Sequence, residues 1–413
     1  MEPNHMKQDR LLILTEYFYP DTASGTGRIM TELAEDLVKK GICVDVVCGQ
    51  PSYLAHERVL SREDWHGVKV TRLSELRVSR HLGAGRTASW AWFMLQCLVH
   101  VPFWRRKYHR ILVVTNPAPA LSLGWLFKRG RTAAGYVALV HDLFPENAVA
   151  VGKLRENSLA VRAMKSLNRV SLLAADTVVT VGEDMKRLLC ADYGLRLEKV
   201  HVIPNWASQV ETPSLVNIEA VDYWRRSLGL GDRFLVLYAG NFGFAQDADL
   251  LIRCLAACSH MTDVLFCFAG GGGQYERLRN EETSGAIPNL RVVPFQTGTR
   301  YSSLLKLAGC GLVSLHPHLR GMAVPSKVTT YMATGLPVIC LAEQSSDLAN
   351  MVKETSSGIR CQSPEQFADA VRLIVSDNEL RSRLARNALR AAETKYSRSQ
   401  CISSFVEVLS GLP

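Results

Sequence analysis

Residues 321–338 read G-M-A-V-P-S-K-V-T-T-Y-M-A-T-G-L-P-V, and within them Lys327 is the side chain best placed for chemistry. Pro325 can open a helix, Ser326 and Lys327 follow in its first turn, and Gly335 stops it ahead of a new apolar strand. Unpaired amide groups at such a helix start, the positive end of its dipole, the Ser326 hydroxyl and the Lys327 ammonium would converge on one spot. That combination suits a diphosphate. A lysine at a helix start is ordinarily a solvated charge, so the phosphate reading needs support from the rest of the chain.

Other loops carry candidate groups. Residues 17–27, Y-F-Y-P-D-T-A-S-G-T-G, precede an expected helix from Arg28 to Lys40. Gly25, Thr26 and Gly27 would let backbone approach a ligand closely, but their spacing is not the G-x-G-x-x-G of dinucleotide sites, and a loop without a ligand is the alternative. H-D-L-F-P-E at 141–146 places His141, Asp142 and Glu146 after an apolar run, where they can act as polar or acid/base groups; a lone histidine is also an ordinary core residue. Gly240, Asn241 and Gly243 follow another apolar run, as do four glycines at 270–273. Asp247 and Asp249 resemble a D-x-D metal motif, yet acids in the first turn of a helix need no ion, and no metal site is expected. His316 and His318 read as loop residues.

The elements that must position these groups repeat in both halves of the chain. Short apolar runs at 11–14, 44–47, 111–114, 137–140, 178–181 and 200–203, then at 234–238, 264–269, 290–293, 312–315 and 337–340, alternate with amphipathic stretches. They read as buried parallel strands in two doubly wound α/β domains, with a linker at 205–215. A chain of 413 residues is too long for one core. Its 48 Lys+Arg against 39 Asp+Glu give a net charge of +9, which favours anionic partners without choosing among them. Most of the eleven cysteines lie in apolar runs and none forms C-x-x-C, which points to reduced, buried thiols and a cytoplasmic location. Residues 88–104 are largely apolar, with Trp90, Trp92, Phe93, Phe103 and Trp104, and lead into Arg105, Arg106, Lys107 and Arg110. With Gln96, His100 and Pro102 inside, the segment reads as a core helix or one that touches a membrane surface, not a span.

Taken in order, these motifs resemble the retaining nucleotide-sugar glycosyltransferases of family 4. The carrying segments are G-T-G at 25–27, H-D-L-F-P-E at 141–146, V-I-P-N at 202–205, Y-A-G-N-F-G at 238–243, F-A-G-G-G at 268–272 and V-P-S-K-V-T-T-Y-M-A-T-G-L-P-V-I at 324–339. The P-S-K form with N-F-G is most similar to the bacterial colanic-acid, capsule and O-antigen branch. The resemblance implies a GT-B architecture, two Rossmann-like domains facing across a cleft. The expected boundaries are 1–208 on the acceptor side, 209–395 for the nucleotide sugar, and a C-terminal helix at 396–413 crossing back. It implies a nucleotide-diphosphate sugar donor, UDP-sugar first, a glycan or lipid-linked acceptor, and neither a cofactor nor nucleic acid; the aromatic and basic residues between Trp90 and Arg110 add an anionic membrane surface as a candidate partner.

His141, Asp142 and Lys327 would be the catalytic groups. Gly25, Thr26, Gly27, Gly240, Asn241, Gly243, Arg320, Met322, Ala323, Val324, Pro325, Ser326 and Thr330 would join Lys327 around the nucleotide sugar. Met322 and Thr330 stand where many members have glutamates, and Asn241 and Gln246 where arginine and lysine are common, so the charge on the phosphate falls more heavily on Lys327, helped by Arg320. A soluble acceptor, a nucleotide-sugar epimerase of the same shape, or a silent binding protein are the alternatives.

Overall fold

The computed structural model describes residues 9–22, 24–51, 59–76, 83–101, 108–206 and 218–411. Residues 1–204 with 401–413 form one compact unit and residues 205–400 the other. The expected linker lies largely outside the described residues, at 207–215, and so do Phe103, Trp104, Arg105, Arg106 and Lys107.

The first unit is built on eight strands: β1 Arg10–Leu14, β2 Cys43–Gly49, β3 Arg62–Trp65, β4 Val68–Leu73, β5 Tyr108–Val114, β6 Ala133–Val140, β7 Thr177–Thr180 and β8 Val200–Val202. Their order is β3-β4-β2-β1-β5-β6-β7-β8, parallel except for the antiparallel β3–β4 pair. The second unit has β9 Phe234–Asn241, β10 Val264–Gly271, β11 Leu290–Pro294, β12 Cys310–Ser314, β13 Val338–Leu341 and β14 Gly358–Cys361, ordered β11-β10-β9-β12-β13-β14 and all parallel. Helices on both faces of a parallel sheet bury the strands twice over, which is why β1 and β6 read as unbroken apolar runs. Leu11 to Leu14 are all at most 2% exposed, and each such side chain contributes roughly 1.5–3 kcal/mol on burial.

Helices begin where a short polar side chain can hold their first amides. Ser24, Ser158, Asp247, Ser346, Ser363 and Asp377 all cap in this way, each typically stabilising its helix by about 1 kcal/mol. The helix Gly25–Lys39 then turns Ile29, Met30, Leu33, Ala34 and Leu37 inward at helical spacing.

The helix Gly83–His100 corrects part of the interfacial reading. Trp90, Phe93 and Cys97 share its inward face and are buried, so Trp90 and Phe93 are core residues. Trp92 and Gln96 are tied to Ser74 by donating to its carbonyl at 3.1 and 2.7 Å. No helix among the described residues is long and apolar enough to cross a membrane.

Candidate functional site

In the second unit the strand order reverses between β9 and β12, and ligands of such sheets bind beyond the carboxyl ends of the strands at that place. β9 ends there in Gly240 and Asn241. The helix Lys327–Ala333 is held against it by Tyr331, whose hydroxyl accepts from the Ala239 amide at 2.8 Å. A Cβ at position 311 would come within 2.4 Å of the Tyr331 ring, so Gly311 is what admits that ring.

Lys327 reaches back over the end of β9. Its Nζ lies 4.7 Å from the centroid of the Tyr238 ring and donates to the Asn241 carbonyl at 3.4 Å. The same carbonyl accepts from Tyr238 Oη at 2.8 Å. Gly240 has φ +118°, and a side chain there would meet Lys327 Cε at 3.5 Å. No carboxylate pairs with the ammonium among the described residues, and burial lowers its pKa from the ordinary lysine value to about 8.

The helix starts at Lys327, with Ser326 as its cap and Pro325 outside it, two residues later than the sequence suggested. Pro325 instead belongs to the approach loop, where its carbonyl accepts from the Val328 amide at 3.4 Å. The amides of Ala323, Val324, Ser326 and Lys327 donate to no protein acceptor among the described residues, whereas that of Met322 goes to the Leu319 carbonyl at 3.0 Å. Four amides between 323 and 327 and one ammonium are thus left without an acceptor or a carboxylate among the described residues.

The other expected members are placed less simply. Thr330 is buried, at 3% exposure. The Arg320 guanidinium is 3.6 Å from Glu343, so its charge is shared. Gln246, itself buried, accepts from the Gly243 amide at 2.8 Å and braces the loop after β9. Asp247 accepts from the Leu250 amide at 3.0 Å as a helix cap, and Asp249 pairs with Arg277.

In the first unit, β6 delivers His141 and Asp142, whose amides donate to Thr115 Oγ1 at 3.1 and 3.4 Å. The following turn is fixed by Asn168, which donates to the Phe144 carbonyl at 2.7 Å, and by Tyr193, which donates to the buried Glu146 at 2.5 Å. Glu146 is thus a structural anchor. Burial lowers the His141 pKa to about 4, so the ring is neutral at pH 7, and raises that of Asp142 to about 6 against the pull of nearby Arg86. Asp142 lies among many protein atoms, but its own surface is exposed to solvent, which tempers that upward push. Arg86 lies 5.0 Å over the Trp90 ring, and Trp90 packs edge-on to Phe144 at 5.4 Å.

Gly25, Thr26 and Gly27 form the first turn of a helix rather than a loop before one. Ser24 makes this possible by accepting from the Gly27 amide at 3.5 Å. A Cβ on Gly27 would come within 2.3 Å of the Asp21 carbonyl oxygen, so only glycine fits, while the Gly25 and Thr26 amides find no acceptor among the described residues. The motif reading missed Arg86, Thr115 and Tyr238. Thr115 had a signal, the T-N-P following the apolar run 111–114; Arg86 had none, because the helix carrying it begins before the apolar stretch.

Two family models tile the chain, one described as a glycosyl transferase 4-like domain over residues 24–206 and one as glycosyl transferases group 1 over residues 221–391. The chain belongs to the GT-B glycosyltransferases. This glycosyltransferase is 29% identical to the probable glycosyltransferase WbjE of Pseudomonas aeruginosa over 62% of its own length, and the match spans 63% of that relative. It is 28% identical to the putative colanic acid biosynthesis glycosyl transferase WcaI of Escherichia coli K12, over 84% of this chain and 87% of that one. Its relatives thus include polysaccharide-biosynthesis enzymes. The crystal structure of WaaG, a glycosyltransferase involved in lipopolysaccharide biosynthesis, superposes with a TM-score of 0.69 at 17% identity, covering 97% of this chain and 100% of that one. HepE of Anabaena in complex with UDP gives 0.69 at 15% identity over 98% and 100%.

Proposed function

We propose that this glycosyltransferase moves a sugar from a nucleotide-diphosphate sugar, a UDP-sugar first, to a hydroxyl of a lipid-linked glycan in surface-polysaccharide synthesis, with retention and without a metal ion. The observation that carries the donor side is Lys327, a cation that among the described residues has no carboxylate partner, beside four amides with no acceptor among them, at the sheet's reversal point. A diphosphate supplies the missing counter-charge and accepts all of those donors.

In the reaction the bond from the anomeric carbon to the diphosphate oxygen breaks, the acceptor oxygen bonds that carbon, and its proton passes to the departing phosphate. Negative charge grows on the diphosphate as the bond breaks, so donors already fixed in place stabilise the transition state more than the ground state. Neutral His141 can hydrogen-bond a sugar hydroxyl without setting a positive charge beside an electron-poor anomeric carbon. Asp142, ionised above pH about 6, can orient a hydroxyl on the acceptor side.

The choice of UDP is supported by the UDP held by HepE, and that of a surface glycan by the description of WcaI. The test is incubation with UDP-sugars and extracted bacterial lipid. UDP release and transfer of label into the lipid phase, both dependent on acceptor, are expected, with product NMR showing the donor's anomeric configuration. Label that stays water-soluble, or an inverted product, defeats the corresponding part of the proposal.

A further inference from the structure

We propose that Thr115 contacts the substrate as well as its own turn: its hydroxyl donates a hydrogen bond to an oxygen of the acceptor sugar. The first unit has a reversal of strand order of its own, between β1 and β5, with β2 beyond the one and β6 beyond the other. In a sheet of this kind a ligand is held there, past the carboxyl ends of the two strands. Thr115 is the residue that follows β5 at that place. Its amide donates to the Leu139 carbonyl at 3.0 Å, and the next carbonyl, that of Asn116, accepts from the Glu16 amide at 2.7 Å. Thr115 is thereby fixed between the loop after β1 and the end of β6.

The protein uses only part of this hydroxyl. Oγ1 accepts from the amides of His141 and Asp142 at 3.1 and 3.4 Å, which occupies its two lone pairs. The remaining direction is taken by its hydrogen, which finds no acceptor among the described residues. The strand itself has no need of the oxygen: Ile111 to Val114 are apolar and buried, and polarity begins where the crevice does. Thr115 and His141 are partly exposed and Asp142 is exposed, so a ligand can reach the group.

The chemistry of the spot selects the partner. Asp142, ionised above pH about 6, has its amide 3.4 Å from the same oxygen, and a carboxylate so near disfavours a phosphate. A neutral donor beside it suits a hydroxyl or ring oxygen of a sugar. Lys327 and its neighbouring amides already provide for the diphosphate in the other unit, which leaves Thr115 to the acceptor. A sugar held at one oxygen by Thr115 and at a second by Asp142 has its attacking hydroxyl fixed in direction. The assignment to an acceptor sugar rests on the proposed function; the spare donor at the crevice does not.

The test is transfer from a labelled UDP-sugar into bacterial extract, followed against the amount of extract at saturating donor. Thr115→Val keeps the side-chain shape and removes the oxygen. It should raise the acceptor level for half-maximal transfer about fivefold, the size of one neutral hydrogen bond, with UDP binding by calorimetry unchanged. Thr115→Ser keeps the oxygen and should recover most of the loss. The acid limb of the pH–rate profile should remain at about pH 6 in Thr115→Val. An unchanged acceptor dependence in that variant, or a lower kcat with a displaced acid limb, leaves Thr115 a brace of the turn and overturns the proposal.

Since Thr115→Val also strands two amides, a second measurement uses the wild-type fold. In protein carrying methyl-labelled threonine, the Thr115 signal is identified by its absence from Thr115→Ser. It should shift on adding the extract fraction that takes up label, and not on adding UDP. A signal that UDP alone moves, or that the extract leaves in place, overturns the proposal as well. Both measurements follow whichever phase takes up label, so a water-soluble product defeats the lipid-linked reading while Thr115 is judged by the same readouts.

Discussion

The Lys327 ammonium rests 4.7 Å from the centre of the Tyr238 ring and among the described residues has only a carbonyl, that of Asn241, as its hydrogen-bond partner. A cation so placed is stabilised weakly by the aromatic face and strongly only when an anion arrives. Lys327→Ala should therefore weaken nucleotide binding and transition-state stabilisation by about 1.5–3 kcal/mol, the size of a lost charge-assisted contact. Calorimetry with UDP and the turnover of the variant check this, with circular dichroism confirming an unchanged fold. Turnover near that of wild type would remove Lys327 from the site.

The affinity for UDP should depend on pH in a way that Lys327 explains. Its pKa is lowered to about 8, so the ligand-free protein carries the charge below pH 8 and loses it above. UDP affinity should be flat from neutral pH to just below 8 and then weaken, by up to about tenfold per pH unit. Stability moves the other way. Between pH 8 and the ordinary lysine value the unfolded chain holds a proton that the folded one lacks, so this group's contribution to ligand-free stability rises with pH. Lys327→Met should flatten the affinity profile and leave the ligand-free Tm at pH 7 equal to wild type or higher. A profile that keeps its slope in this variant assigns the titration to another group.

Much of this site was legible in the sequence because buried parallel strands and their following loops write themselves as apolar runs ended by glycine or polar residues. β1, β6, β9 and β12 all do so, and they deliver Gly240, Asn241, His141 and Asp142 to strand ends as expected. β3 was invisible because R-E-D-W has no apolar alternation, and β4 because V-K-V-T-R-L mixes charge into a strand near the sheet edge. The helix start at Gly25 was hidden by two glycines, which are poor helix formers; the Ser24 cap and the tight contact at Gly27 override that preference. Lys327 was found from its place in a motif, but its Tyr238 platform comes from 89 residues earlier in the chain, and no local pattern reports such a pairing.

Activity should survive EDTA. The D-A-D acids are engaged elsewhere: Asp247 holds the Leu250 amide at 3.0 Å and Asp249 meets Arg277. Four amides and Lys327 can carry the diphosphate charge without an ion. Turnover in EDTA equal to that in buffer is the expected result. Complete loss, restored by magnesium or manganese, would require a cation held by these or other acids.

Arg86 should set the acid limb of the pH–rate profile through Asp142. Burial pushes the Asp142 pKa up to about 6 and the positive charge of Arg86 pulls against that shift. With Asp142 acting in its ionised form, kcat/KM should fall as pH drops below about 6. Arg86→Gln removes the opposing charge and leaves the desolvation, so the midpoint should move upward, by roughly one pH unit. Asp142→Asn should abolish that limb along with most of the activity. Gln at 86 also preserves much of the side-chain volume over Trp90, so a change in Tm alone would signal lost packing, whereas a displaced midpoint at unchanged Tm is the electrostatic result. An acid limb that stays in place in Arg86→Gln would show that Asp142 is not the group titrating.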